Sequence, residues 1–104
     1  MVYYSTEAID DFSNILIGLA NWEKHPLEYE HAMQYVSDMR KEADNICKKS
    51  FHRNCIYDIH KKYGNKIHVY RRNKQTQWNL IYNWEKFSRI AYVNKILNNY
   101  LTRK

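Results

Sequence analysis

The spacing of apolar residues changes partway along this 104-residue chain, and no other feature constrains its fold as strongly. Ala8, Phe12, Ile15, Leu19 and Trp22 recur every three or four positions, with Ile9, Leu16 and Ala20 widening the stripe. Tyr29, Ala32, Met33, Val36, Met39, Ala43, Ile46 and Cys47 do the same further on. A period near 3.6 predicts two amphipathic helices. The first follows the β-branched and aromatic run "VYYST", a predicted strand. Ser5 or Thr6 is placed to cap it, with Glu7, Asp10 and Asp11 near its start, where acids suit the helix dipole. His25-Pro26 ends it, because the residue before proline resists the helical region. Gly18 weakens this helix unless another backbone comes close. The second helix is expected over Glu28 to Lys49, and so short a connection predicts an antiparallel hairpin.

After Ser50 the period becomes two. "KIHVYRR" and "TQWNLIYNW" alternate, and "RIAYVNKIL" is a third β-forming run, joined by the polar connectors "NKQ" and "EKFS". In the middle run Trp78, Leu80, Tyr82 and Trp84 fall on one face, predicted to pack on the helices. Gln77, Asn79, Ile81 and Asn83 fall on the other, predicted to be open. Tyr63-Gly64-Asn65 reads as a turn, and "CIYDIHKK" either pairs with "KIHVYRR" or runs irregularly. Two Gly and one Pro argue against a linker or a low-complexity segment. The expected fold is a single α+β domain over residues 1–104. It has a short N-terminal strand and an antiparallel helical hairpin packed on a small, mainly antiparallel sheet.

Charge divides at nearly the same place. Residues 1–46 hold nine acidic side chains and three basic ones, a net of −6; residues 47–104 hold fourteen basic and two acidic, a net of +12. A basic half of this kind suits a polyanionic partner, nucleic acid before membrane, the plainer reading being a solvated basic face. Neither a signal peptide nor a membrane-spanning run is expected, and two cysteines suit a reducing cytoplasm better than a disulfide scaffold.

Cys47, His52, Cys55 and His60 read C-x4-H-x2-C-x4-H, but structural zinc sites favour close C-x2-C pairs, and Cys47 belongs to a helical stripe. No metal or cofactor is expected. G-x-S-x-G, H-E-x-x-H and P-loop signatures are missing from the sequence. What remains is a basic and aromatic set: His60, Lys61, Lys62, Tyr63, His68, Tyr70, Arg71, Arg72, Lys74, Arg89, Lys95 and Tyr100. Arg and Lys bind phosphate oxygens and stabilise extra negative charge in phosphoryl transfer. Tyr, His or Lys can move protons. RNA brings its own nucleophile in the 2′-hydroxyl, so such a set can act without metal.

The order of elements, with "VYYSTEAIDDF" and "VYRRNKQTQWNLIYNW" as the most telling stretches, resembles the RelE/ParE superfamily of bacterial type II toxins. The resemblance covers nearly the whole chain and implies a twisted antiparallel sheet on a helical hairpin. RelE-like members cleave mRNA on the translating ribosome; ParE-like members inhibit DNA gyrase instead. Both are neutralised by a small antitoxin, through which the complex reaches operator DNA. By position, Lys61 and Lys62 match basic residues ahead of the second strand, Arg71 or Arg72 a strand arginine, and Tyr100 a C-terminal catalytic tyrosine. His60, Lys74, Arg89 and Lys95 are expected to help hold nucleic acid. Asn79 stands where the family commonly has Arg, and Asn98 and Asn99 where its ribonucleases tend to have His or Arg. A gyrase inhibitor or a binding component without RNA cleavage is therefore the alternative.

Overall fold

The computed structural model describes residues 1–21, 28–72 and 76–98. The elements run β1 (Val2–Tyr4), α1 (Thr6–Ala20), α2 (Tyr29–Asp44), a 3-10 turn (Ile46–Lys48), β2 (Arg53–Asn54), α3 (Asp58–Lys61), β3 (Lys66–Arg71), β4 (Gln77–Glu85) and β5 (Ile90–Asn98). The five strands form one sheet in the order β1-β5-β4-β3-β2. β1 pairs parallel with β5, and every other neighbour is antiparallel. The fold is α+β, and among the described residues no helix is long and apolar enough to cross a membrane.

Ser5 sets the first corner. Its Oγ accepts from the Ala8 amide at 3.0 Å, capping α1, and donates to the Asn94 carbonyl at 3.0 Å. Both helices stop at asparagine. The Asn21 and Asn45 side-chain amides donate to the carbonyls of Ile17 and Lys41, each at 2.9 Å, satisfying last-turn acceptors. That is why the second helix ends at Asp44 and continues only as a 3-10 turn, short of the expected Lys49. The expected end of the first helix, including Trp22, lies outside the described residues.

The main core joins Ala8, Phe12 and Ile15 of α1 and Tyr35, Met39 and Ala43 of α2 to Leu80, Tyr82, Val93 and Ile96 of the sheet. Trp78 and Trp84 flank it, half-buried. Trp78 Nε1 donates to the Tyr35 hydroxyl at 2.9 Å, and His52 stacks on Trp84 at 3.9 Å between centroids. The expectation of an open second face on β4 needs correction. Ile81 is fully buried there, in a small second core with Cys55 and Ile67 flanked by Tyr63 and Val69. Asn79 is also buried, accepting from Gln77 Nε2 at 3.0 Å. The segment between β2 and β3 folds back over this face because three apolar side chains there would otherwise meet water.

Gly64 is the turn residue that permits this. A Cβ there would stand 2.7 Å from the Tyr82 carbonyl oxygen, whereas a Cβ at Gly18 meets nothing within 4 Å. Gly64→Ala is expected to lower the unfolding free energy by ~1–3 kcal/mol, through forced displacement of backbone. Gly18→Ala should raise it by ~0.5–1 kcal/mol. Urea melts read both, and coincident midpoints for the two variants would contradict this packing.

Candidate nucleic-acid interface

The sheet sorts the predicted basic residues by face. Lys61 ends α3 and Lys62 follows it; both are exposed, and no salt bridge among the described residues involves either. They rim a groove of about 560 Å³ whose other walls include Asn54, Tyr63, Asn65 and Asn83. Lys62 Nζ lies 5.1 Å from the Tyr63 ring centroid. The Asn65 amide donates to Asn83 Oδ1 at 3.1 Å, fixing the groove floor. Lys66 Nζ donates to Asn54 Oδ1 beside it.

Arg71 and Arg72, adjacent in sequence, part company. Arg71 is exposed at the far end of β3, where its Nε and Nη2 donate to Oε1 of its cross-strand partner Gln77 at 3.0 and 2.7 Å. Arg72 turns to the helices. Its Nη1 donates to Asp38 Oδ2 at 2.6 Å, and its guanidinium lies 4.9 Å from the Tyr35 ring centroid. That contact holds the Asp38 carboxyl below its usual range and raises the Arg72 guanidinium. The two arginines therefore do not form one phosphate clamp. From Lys66 to Arg71 the strand runs roughly 17 Å at ~3.3 Å per residue. Arg71 thus lies a full strand length from Asn65, which lines the lysine-rimmed groove.

Other expected contacts have structural duties. Lys95 Nζ bonds Asp11 at 3.0 Å and Glu7 at 3.1 Å. Arg89, with φ 53°, donates to the Cys47 carbonyl at 2.8 Å and ties the β4–β5 turn to the 3-10 turn. His60 is buried with its ring edge against Tyr57. His68 sits between Lys49 Nζ at 2.9 Å and Glu42 Oε1 at 3.3 Å, on the helix side. Tyr70 is buried in the main core. Lys74 and Tyr100 lie outside the described residues. Cys55 packs in the second core, and among the described residues no three His, Cys, Asp or Glu group together as a metal site would need.

An aromatic pair on the face away from α1 and α2 has no signature among the sequence motifs. Tyr3 and Tyr92 are register partners across β1 and β5, their rings stacked at 5.6 Å and 18° and still 47% and 43% exposed. Alternation was the available signal: Val2 and Tyr4, like Ala91 and Val93, point to the core, so Tyr3 and Tyr92 must point away. The parallel pairing that brings them together has no local trace in sequence.

No family model, curated protein or solved structure matches this chain.

Burial pushes the pKa of His52, His60 and His68 down, and the Lys49 ammonium adds to this at His52 and His68. Nε2 of His52 and of His60 is buried without a hydrogen-bond partner among the described residues. The Tyr82 hydroxyl, 2.6 Å from His52 Nδ1, is itself pushed up to about 12, first by burial. Below the ordinary histidine value of about 6.5 the unfolded chain binds more protons than the folded one, so stability must fall as pH falls. Urea midpoints should be level above roughly pH 7 and drop between about pH 6.5 and 5. Midpoints unchanged over that interval would show that these rings are not held neutral by the fold.

Proposed function

We propose that this protein is the toxin of a type II toxin–antitoxin pair, of the RelE/ParE kind, and that it cleaves mRNA on the ribosome. The observation that carries the proposal is the position of Lys61 and Lys62. They are exposed cations without carboxylate partners among the described residues, on a groove of the face away from α1 and α2, the face onto which Arg71 alternates from core Tyr70. The sequence resemblance and the placement of both long helices on the other face support it. In this reading the lysines bind the non-bridging oxygens of the scissile phosphate and stabilise the charge that grows as the 2′-oxygen attacks phosphorus. The bond to the 5′-oxygen breaks, the 2′-hydroxyl proton ends on that oxygen, and the products are a 2′,3′-cyclic phosphate and a 5′-hydroxyl. His60 is buried, so direct contact falls to Lys61 and Lys62. Tyr100 is assigned to orienting the leaving group. Arg71 holds a neighbouring phosphate. The reaction belongs to the cytoplasm, and a cognate antitoxin would cover the same face and carry the complex to operator DNA.

A second reading has its own support. Arg72 is engaged by Asp38, and Asn79, where the resemblance leads one to expect Arg, is a buried amide. A face with so few catalytic groups also suits a non-cleaving inhibitor of the gyrase kind. Induced expression separates the two. Cleavage predicts new 5′-hydroxyl ends within coding sequences, and loss of those ends by about 100-fold in Lys61→Ala/Lys62→Ala. Intact mRNA together with inhibited supercoiling would move the assignment to gyrase.

A further inference from the structure

We infer that Tyr3 and Tyr92 form a base-stacking platform for a single-stranded nucleic acid whose phosphates run past Lys61 and Lys62. This inference rests on the proposed function for its ligand class and adds a second binding site to it. Three observations carry it. The rings form one offset stack on the face away from α1 and α2, yet each remains nearly half exposed, so a ring surface is open to a base. Tyr92 is the register partner of Asn83, and Asn83 lines the lysine-rimmed groove, so platform and groove are contiguous across β5 and β4. The Asn83 Oδ1 is used by the Asn65 amide, which leaves its amide N–H groups to donate to a base edge.

A cross-strand tyrosine pair can exist merely to stabilise a sheet. Here, however, the pair lies beside Asn83, which lines a groove whose rim carries lysines that no described carboxylate neutralises. That surrounding suits a polyanion carrying flat bases, and aromatic rings beside a basic groove are how sequence-tolerant single-strand binding is built. The Tyr hydroxyls are not needed; the ring faces are.

The test uses the purified full chain and a short single-stranded RNA with one 2-aminopurine, read by anisotropy and by base fluorescence. Tyr92→Ala and Tyr3→Ala should each weaken binding about tenfold and remove the stacking-dependent fluorescence change, while Tyr92→Phe and Tyr3→Phe keep both within about twofold. The salt slope should be unchanged in the tyrosine variants. In Lys61→Ala/Lys62→Ala it should fall by about 0.7 for each phosphate that a lysine no longer neutralises. A DNA strand of the same sequence should use the platform equally, since stacking does not read the 2′-hydroxyl. Circular dichroism and melts confirm that each variant is folded. The platform is overturned if folded alanine variants bind as the parent does, if phenylalanine fails to rescue, or if the parent does not bind the strand at all. In each case mRNA cleavage, scored by 5′-end mapping, still stands or falls by itself.

Discussion

The carboxylate of Asp11 joins the helical and β parts of this molecule. β1 covers the outer edge of β5 for only three residues, ending opposite Val93. Beyond that point the edge needs other partners, because buried backbone amides must be satisfied. Asp11 Oδ2 accepts from the Ile96 amide at 2.9 Å while Oδ1 accepts from Lys95 Nζ, and the Ser5 hydroxyl donates to the Asn94 carbonyl. α1 thereby lies along the edge in the place of a strand. The register shift between Ile81 and Tyr82 falls opposite this point and leaves Asn94 out of the ladder. That shift lets both Val93 and Ile96 enter the helix-facing core although they are three positions apart.

The same contact explains how opposite charges from the two halves coexist. Part of the acidic half neutralises part of the basic half across the helix-sheet boundary: Glu7 and Asp11 with Lys95, and Asp38 with Arg72. These pairs lie at or toward the helices. Lys61, Lys62 and Arg71 have no carboxylate partner among the described residues, and they border the opposite face. Lys95 and Arg72 thus spend their charge at the helix-sheet boundary, while Lys61, Lys62 and Arg71 keep theirs on the other face.

Much of the scaffold was legible because periodicity survives wherever one side of an element is buried. Ala8, Phe12 and Ile15 of α1, Ala32, Met39 and Ala43 of α2, and Leu80 and Tyr82 of β4 are buried where their spacing places them, whereas Ile9, Tyr29 and Met33 of the expected stripes are exposed and Tyr35, outside them, enters the core. The cover over Ile81 was not legible, because Cys55, which joins Ile67 there, belongs to a stretch with no repeating period. Site residues were harder still. Nothing beside Lys95 in sequence announces Asp11, 84 positions away, and nothing beside Arg72 announces Asp38, 34 positions away. A count of basic residues sees charge but not its partner. Lys61 and Lys62 retained their expected exposure because the nearest acid in sequence, Asp58, occupies the first turn of α3 and forms no salt bridge with them among the described residues.

The parallel pairing of β1 with β5 also sets an order of assembly. Val2 finds its register only against Ala91, roughly 90 residues later. At translation rates of about 5–20 residues per second, the first strand waits on the order of 5–20 s for its partner to be made. Helices and the β3–β4 hairpin depend on nearer contacts and can form first, as nonlocal pairings generally come late. The two stacked tyrosines, on strands paired across most of this sequence, are therefore brought together late in folding, and no chain that stops before Tyr92 can present that surface.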